Sequence, residues 1–170
     1  YIEPKYVKDI TEDDYLVLIS GSDVYGNNIK LPKEWEVDVN ELDVRTMLYK
    51  TPMYLTKELS RFLGYMVADG VISDGGIHYG KNHKNVVIDF NNIVYQLFGY
   101  RTKDPRHIDA DGKYGGMFLS EVCSKYIKKF CDHIDGILPN QKFGPHIIMP
   151  APMEMQVEFL RGVFEDGSVC

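Results

Sequence analysis

The clearest pattern of apolar residues lies between positions 55 and 67 and has the spacing of a helix. Its members are Leu55, Leu59, Phe62, Leu63, Met66 and Val67. Thr56 is placed to cap the start of this helix, and Glu58 falls in its first turn, where acids are favoured. Because Asp69 and Gly70 follow the last apolar residue, we predict an amphipathic helix over residues 58–70.

The same helix carries two small residues, Gly64 and Ala68, four positions apart on one face. Small residues at this spacing let a second backbone approach more closely than Leu or Ile would permit, so the face is suited to a partner helix. The helix ends with the carboxylate of Asp69 at its negative pole, where a cation is favoured. We therefore expect a positively charged group near Asp69.

Two stretches rich in β-branched and aromatic residues follow this helix. They predict strands at 71–79 and 85–90, joined by a turn at 80–84 that contains two lysines. A short apolar-faced helix is then expected at 92–98 and is ended by Gly99. This part of the chain is predicted to be a hairpin followed by a helix.

A second hairpin and a further helix are predicted beyond residue 100. The strands are expected at 106–108 and 113–119, and the helix at 121–134, with Ser120 as its cap. The predicted order is αββαββα. It gives an α+β fold in which a four-stranded antiparallel sheet packs one face on the helices and leaves the other face free.

The first fifty residues differ from the rest in composition. A β-branched and aromatic run predicts a strand at 15–19, and residues 31–43 look irregular or partly extended. This region carries 6 basic and 11 acidic side chains, whereas residues 71–120 carry 6 and 5. The net charge of −6 therefore comes mainly from the first fifty residues, and it permits nucleic-acid binding by the later segment without favouring it.

Residues 62–70 resemble the signature helix of LAGLIDADG homing endonucleases, and a second copy of the motif begins at Phe159. The resemblance implies that the two motif helices pack against each other. It also implies that each helix delivers one acid to a shared metal site above DNA. Asp69 matches the metal-binding acid of the first motif, and Gly162 matches the small residue of the second helix interface.

A further likeness concerns the N-terminal segment. Residues 9–10 and 14–16 are similar to the part of an intein splicing domain that leads into its endonuclease insert. A generic β-hairpin at the edge of a small domain remains an equal alternative. The resemblance divides the chain into an intein-like β segment at 1–50, a first endonuclease repeat at 51–150 and a truncated second motif at 151–170.

The second motif departs from the first in the position of its acid. Asp69 follows Gly64 by five residues, whereas Asp166 follows Gly162 by four. A difference of one residue turns a side chain by about 100° around a helix. Either a tightened last turn re-aims Asp166, or Glu165 reaches in from the previous turn, and both alternatives stay open.

The resemblance also implies the chemistry of the site. Hydrolysis of a phosphodiester needs an activated water and a stabilised leaving oxygen, and a divalent ion supplies both. Carboxylates suit Mg²⁺, so the expected ligands are Asp69 with Asp166 or Glu165. Lys142 lies where the active-site lysine of the family is expected, and would polarise the phosphate or the attacking water.

The free face of the predicted sheet is the expected DNA-reading surface, because a two-stranded ribbon fits the major groove. The side chains expected on or near this face are His78, Lys81, Asn82, Lys84, Arg106, His107, Lys113 and Tyr114. Taken singly, each is also compatible with an ordinary solvated residue, so the group as a whole carries the hypothesis.

Composition adds little that is specific. A chain of 170 residues with 44% hydrophobic content can bury a core. The sequence has no apolar run long enough to span a membrane and no secretory leader, so we expect an intracellular protein. Its 3 cysteines show no paired spacing and are interpreted as reduced thiols.

The leading functional expectation is a site-specific double-strand DNA endonuclease of the homing, intein-associated type. Full activity is in doubt because of the shifted acid, and the active form would be a homodimer or would need a missing C-terminal half. One alternative is a catalytically degenerate module of the same fold that binds DNA or RNA. Another is a protein-interaction domain that uses the Gly64 and Ala68 face of the first helix.

Overall fold

The computed structural model describes residues 26, 29–37, 50–73, 76–81, 83–100, 106–107, 114–115, 121–138 and 142–165. They form an α+β structure of helices and short antiparallel strands. The bounds are Lys57–Ala68 for α1, Val71–Ser73 for β1, Gly76–His78 for β2, Gly80–Lys81 for β3, Lys84–Phe98 for α2, Arg106–His107 for β4, Tyr114–Gly115 for β5, Glu121–Cys131 for α3 and Met153–Phe164 for α4. None of the helices in these residues combines the length and the apolar character needed to cross a membrane.

Helix α1 forms where the apolar pattern predicts it. Its start is capped by Thr56, whose Oγ1 accepts a hydrogen bond of 3.2 Å from the Leu59 amide. The apolar residues of the pattern are buried, apart from Val67, which is partly buried. The helix ends at Ala68, and the amide of Asp69 donates to the carbonyl of Tyr65.

The largest difference from the predicted fold is helix α2, which begins at Lys84 and continues to Phe98. The strand predicted at 85–90 is wrong, because these residues form the first half of that helix. Their β-branched run suggested a strand, but the apolar residues continue at helical spacing and one face is buried. The buried apolar residues are Val86, Val87, Phe90, Ile93, Val94, Leu97 and Phe98. The predicted end agrees, since Gly99 caps the helix with a φ of 74°.

The strand predicted at 71–79 also differs, because it folds back on itself. Its two halves, β1 and β2, pair antiparallel with Val71 opposite His78. Beyond Tyr79, strand β3 pairs with β5, and β5 pairs with β4 as the predicted second hairpin requires. The described strands therefore form a two-stranded and a three-stranded sheet, and the four-stranded sheet of two hairpins is not observed among them.

Aromatic rings fill the core between α1, α2 and α3. The ring of Phe98 lies 5.8 Å from that of Phe62 and 5.6 Å from that of Phe130, both edge to face. Helix α3, predicted to continue over 121–134, ends at Cys131. It packs against β2 and thereby joins the first hairpin to the helices.

The described part of the N-terminal region packs on this core. The amide of Leu31 donates to the carbonyl of Met53 at 3.0 Å, and both Leu31 and Val37 are buried. The strand predicted at 15–19 and the intein-like residues lie outside the described residues. The intein-like character of the segment 1–50 and the predicted domain boundaries therefore stay predictions.

Candidate functional site

Helices α1 and α4 make their closest contact at a glycine on each helix. A Cβ atom on Gly64 would lie 2.2 Å from the carbonyl oxygen of Phe159, and one on Gly162 would lie 2.4 Å from that of Arg61. Any larger side chain would collide with backbone, so only glycine permits this approach. Ala68, the other small residue of the predicted interface, is partly buried.

Ion pairs along the two helices give the direction of their packing. Lys57, the first residue of α1, pairs with Glu154 near the start of α4 at 3.0 Å. One turn later, Arg61 contacts Glu158 and then Glu165 at the far end of α4. The helices are therefore parallel. Their C-terminal ends lie at the same side of the pair, where the two negative poles reinforce each other.

Two of the predicted acids lie at these helix ends. Asp69 caps α1 and is exposed, with its amide 3.1 Å from the Tyr65 carbonyl oxygen. Glu165 caps α4, with its amide 2.9 Å from the Arg61 carbonyl oxygen. Asp166, the other predicted acid of the second motif, lies outside the described residues.

Lys142 lies at the end of α1 and places a positive charge there, where a cation was expected near Asp69. Its ammonium group donates to the carbonyls of Met66 at 2.5 Å, Gly70 at 2.6 Å and Ile137 at 3.1 Å. The residue as a whole is exposed, but the ammonium group makes these bonds at a partly buried position. This burial lowers the pKa of Lys142.

A polar cluster that the sequence analysis missed joins α1, α2 and α4. Arg61 contacts Asp89 at 3.2 Å and binds Glu165, while the Tyr65 hydroxyl donates to Asp89 at 2.8 Å and accepts from Arg61 Nε at 3.3 Å. Burial and then the bond to Asp89 raise the pKa of Tyr65, which stays a hydroxyl donor. The only signal in the sequence was a charged residue one turn before Gly64 on the predicted interface helix.

The same contacts determine the pKa of Arg61. Desolvation lowers the pKa of Arg61, but the bond to Tyr65 and the carboxylates of Asp89 and Glu165 outweigh it and raise that pKa. The guanidinium is therefore a permanent cation, and it holds Glu165 against the side of α1.

A Mg²⁺ ion at this end of the helix pair would need several oxygen ligands. In the described ranges of the chain, no group of three or more His, Cys, Asp and Glu side chains is arranged to hold a metal ion. Glu165, the alternative ligand from the second motif, is engaged with Arg61. The described residues supply one of the expected acids, Asp69, and the Mg²⁺ site stays a prediction because Asp166 lies outside them.

The residues predicted to read DNA fall into three groups. His78 is exposed on β2, and Lys84 is exposed as the first residue of α2 rather than in a hairpin turn. Lys81, Arg106, His107 and Tyr114 lie on the three-stranded sheet, where the register sets Tyr114 opposite both Lys81 and His107. Asn82 and Lys113 lie outside the described residues.

The structure thus brings Asp69, Glu165 and Lys142 to one end of the helix pair, and four of the predicted DNA contacts to one small sheet. Comparison with known proteins adds no relative: no protein-family model matches the chain, and no curated protein matches its sequence.

Proposed function

We propose that this chain is an endonuclease domain of the LAGLIDADG homing type, intein-associated, which binds double-stranded DNA and hydrolyses its phosphodiester bonds with the help of Mg²⁺. The observation that carries the proposal is the parallel packing of α1 and α4 at Gly64 and Gly162. This contact sets the ends of the two motif helices side by side, as a site shared between two acids requires.

The proposal gives Asp69 the role of the acid from the first motif. Since Glu165 is engaged with Arg61, the acid from the second motif is assigned to Asp166. Two parallel helices put two negative poles at this end, and an acid there adds to the negative potential. Such a position favours a hard cation with oxygen ligands, which is the support for Mg²⁺.

The proposed DNA surface is the strand region. Tyr114 stands between Lys81 and His107 in the register of the three-stranded sheet, so aromatic and basic residues occupy one line across it. Phosphate contacts by basic residues supply most of the affinity of such surfaces, and contacts to base edges supply the specificity. His78 and Lys84 are exposed and extend the set of polar residues beyond this sheet.

The outer face of α4 supports the proposed need for a second unit. Four apolar residues at helical spacing are exposed there: Met153, Val157, Leu160 and Phe164. An apolar stripe of this kind on a helix is typical of a face that another unit covers. We propose that a second α+β unit covers it in the active form, either in a homodimer or from a further part of the protein.

Two other functions remain as alternatives. A catalytically degenerate module that binds DNA or RNA would keep the same sheet and lack the shared acid site, and the shifted position of Asp166 favours it. A protein-interaction domain would use the small-residue face of α1. That face is already in contact with α4 through Gly64, which argues against this last alternative.

The test begins with duplexes selected by the protein from a random-sequence DNA pool. The selected duplex is incubated with the full chain and Mg²⁺, and double-strand cleavage is followed by gel electrophoresis. The wild type is expected to cut. The variant Asp69→Asn is expected to bind with similar affinity and not to cut, because the amide keeps the shape and removes the charge.

The outcomes separate the three functions. Binding without cleavage by both wild type and Asp69→Asn would favour the degenerate module. Failure to select any duplex, with no salt-dependent binding to DNA, would leave the protein-interaction domain. If Asp69→Asn cuts as fast as the wild type, the chain is a nuclease but Asp69 is not its catalytic acid.

A further inference from the structure

The ammonium group of Lys142 uses all of its hydrogens within the protein. It has three N–H donors, and it makes three bonds to the carbonyl oxygens of Met66, Gly70 and Ile137. A lysine that polarises a phosphate or a water needs at least one of these donors for the substrate. Lys142 therefore makes a fixed contact within the protein and has no donor left for a substrate.

Two of the three acceptors bracket the predicted catalytic acid. Met66 lies in the last turn of α1 and Gly70 follows the helix, so Asp69 stands between two residues held by the same group. The last carbonyls of a helix have no partner within it and need a donor from elsewhere. Helix α1 has no basic residue in its last turn, so the donor comes from a distant segment.

The third acceptor anchors the lysine itself. Ile137 follows α3, and the amide of Phe143, next to Lys142, donates to the carbonyl of Gly136 at 3.0 Å. The segment that carries Lys142 is thus bound to the chain beyond α3 through two neighbouring carbonyls. A group fixed in this way holds the end of α1 at a set position relative to α3.

We propose that Lys142 is a positioning residue that clamps the end of α1 through the carbonyls of Met66 and Gly70, and thereby fixes the Asp69 backbone between them. Its role in cleavage rests on the proposed function, because it acts through Asp69. The clamp itself does not need DNA or metal. Burial lowers the pKa of Lys142.

The test measures amide hydrogen exchange of the full chain without DNA or metal. The variant Lys142→Met keeps the length of the side chain and removes the donors. Exchange of the Asp69 and Gly70 amides, which both bond to the Tyr65 carbonyl, is expected to speed up about tenfold, because the end of the helix opens more often. Amides in the middle of α2 are expected to change much less.

Two variants serve as controls. Lys142→Arg keeps a cation with several donors and is expected to restore most of the protection of the Asp69 amide. Lys57→Met removes the exposed ion pair to Glu154 at the other end of the same helix and is expected to leave that protection unchanged. A purely global loss of stability would speed exchange in α1 and α2 alike and would overturn the proposal.

The wild type gives a second measurement that does not depend on the folding of a variant. In ¹⁵N NMR spectra of the lysine side chains, the Lys142 ammonium hydrogens are expected to exchange with water more slowly than those of Lys57, because they are bound to carbonyls. Equal exchange of the two ammonium groups would overturn the clamp.

Cleavage of the selected duplex then separates this proposal from the proposed function. If Lys142→Met abolishes cleavage while exchange at Asp69 stays unchanged, Lys142 acts in the chemistry and the clamp is overturned. If neither the wild type nor any variant cuts the duplex, but Lys142→Met speeds amide exchange at the end of α1, the clamp stands and the endonuclease proposal fails. If Lys142→Arg restores both protection and cleavage, the positioning role is supported.

Discussion

Helices α1 and α4 meet at a glycine on each helix, yet their outer faces have different surroundings. Two residues before the glycine, Phe62 is fully buried in α1 whereas Leu160 is 47% exposed in α4. Two residues after it, Met66 is fully buried whereas Phe164 is 61% exposed. The inner contact is shared, and within the part of the chain that the structure describes only α1 has its outer face covered.

The inner and the outer faces of these helices therefore depend on different neighbours. The glycines fix the distance between the helices, because backbone meets backbone there. The outer apolar residues of α1 are covered by α2 and by aromatic rings of the core, such as Phe90 and Phe98 next to Phe62. Among the described residues, no element covers the outer stripe of α4.

The largest expected effect comes from truncating equivalent outer residues. Phe62→Ala leaves a cavity in the core and is expected to lower the free energy of unfolding by about 3–5 kcal/mol. Leu160→Ala removes a side chain that is already half exposed and is expected to cost less than about 1 kcal/mol. Urea unfolding followed by circular dichroism measures both. Equal losses would mean that the stripe on α4 is covered in solution.

A smaller effect is expected where the two helices are alike. Gly64→Ala and Gly162→Ala each put a methyl group against backbone and are expected to cost about 1–3 kcal/mol, although alanine favours a helix. The losses should be similar, since each methyl group meets the other helix. A gain in stability for either variant would show that the helices are not in backbone contact.

The polar cluster provides a third comparison. Arg61→Met leaves Asp89 and Glu165 without their cation and is expected to cost about 1–2 kcal/mol, reduced by their partial exposure. Arg161→Met removes an exposed pair within α4 and is expected to cost at most about 0.5 kcal/mol. Thermal unfolding at low and at high salt concentration measures the loss of stability in both variants. At each salt concentration, Arg61→Met should lose more stability than Arg161→Met.

The last effect is a dependence on alkaline pH. Burial raises the pKa of Tyr65 and Tyr79 above their ordinary value of 10.0 and that of Cys131 above 9.0. Their neutral forms are favoured in the folded state, so their contribution is complete below those ordinary values and is lost as the pH rises past them. The lowered pKa of Lys142 acts in the opposite direction.

This dependence can be measured as the urea midpoint between neutral pH and pH values above the ordinary pKa of tyrosine. The midpoint is expected to fall, and Tyr79→Phe is expected to reduce the fall, because one ionising group is removed. A midpoint that rises with pH over this range would contradict the raised pKa values.

The sequence predicted the parts of the fold that depend on local pattern. Helix α1, its cap at Thr56 and its end at Asp69 followed from apolar spacing and capping chemistry. The strand predicted at 85–90 failed because a run of β-branched residues is compatible with either structure until its partners are known. Burial against Phe62 and Tyr79, whose rings lie 5.6 Å and 4.3 Å from that of Phe90, belongs to tertiary structure.

The candidate site, like the fold, could be predicted only where local pattern determines it. The need for a cation near Asp69 could be inferred from the helix dipole, and the resemblance pointed to Lys142 as an active-site lysine. Its three carbonyl partners come from segments far apart in the chain. The cluster of Arg61, Asp89 and Glu165 joins three helices and has no signature in any one of them. Contacts of this kind depend on how helices pack, which no local pattern specifies.

The pairing of residues 29–31 with residues 53–55 has a consequence for how the protein is handled. The amides of Leu31 and Leu55 each donate across this pairing, and Leu31 and Val37 seal one side of the core. A recombinant fragment trimmed to begin at residue 51 would leave that apolar surface open to water. We expect such a fragment to precipitate on expression, and one that begins before residue 29 to remain in solution.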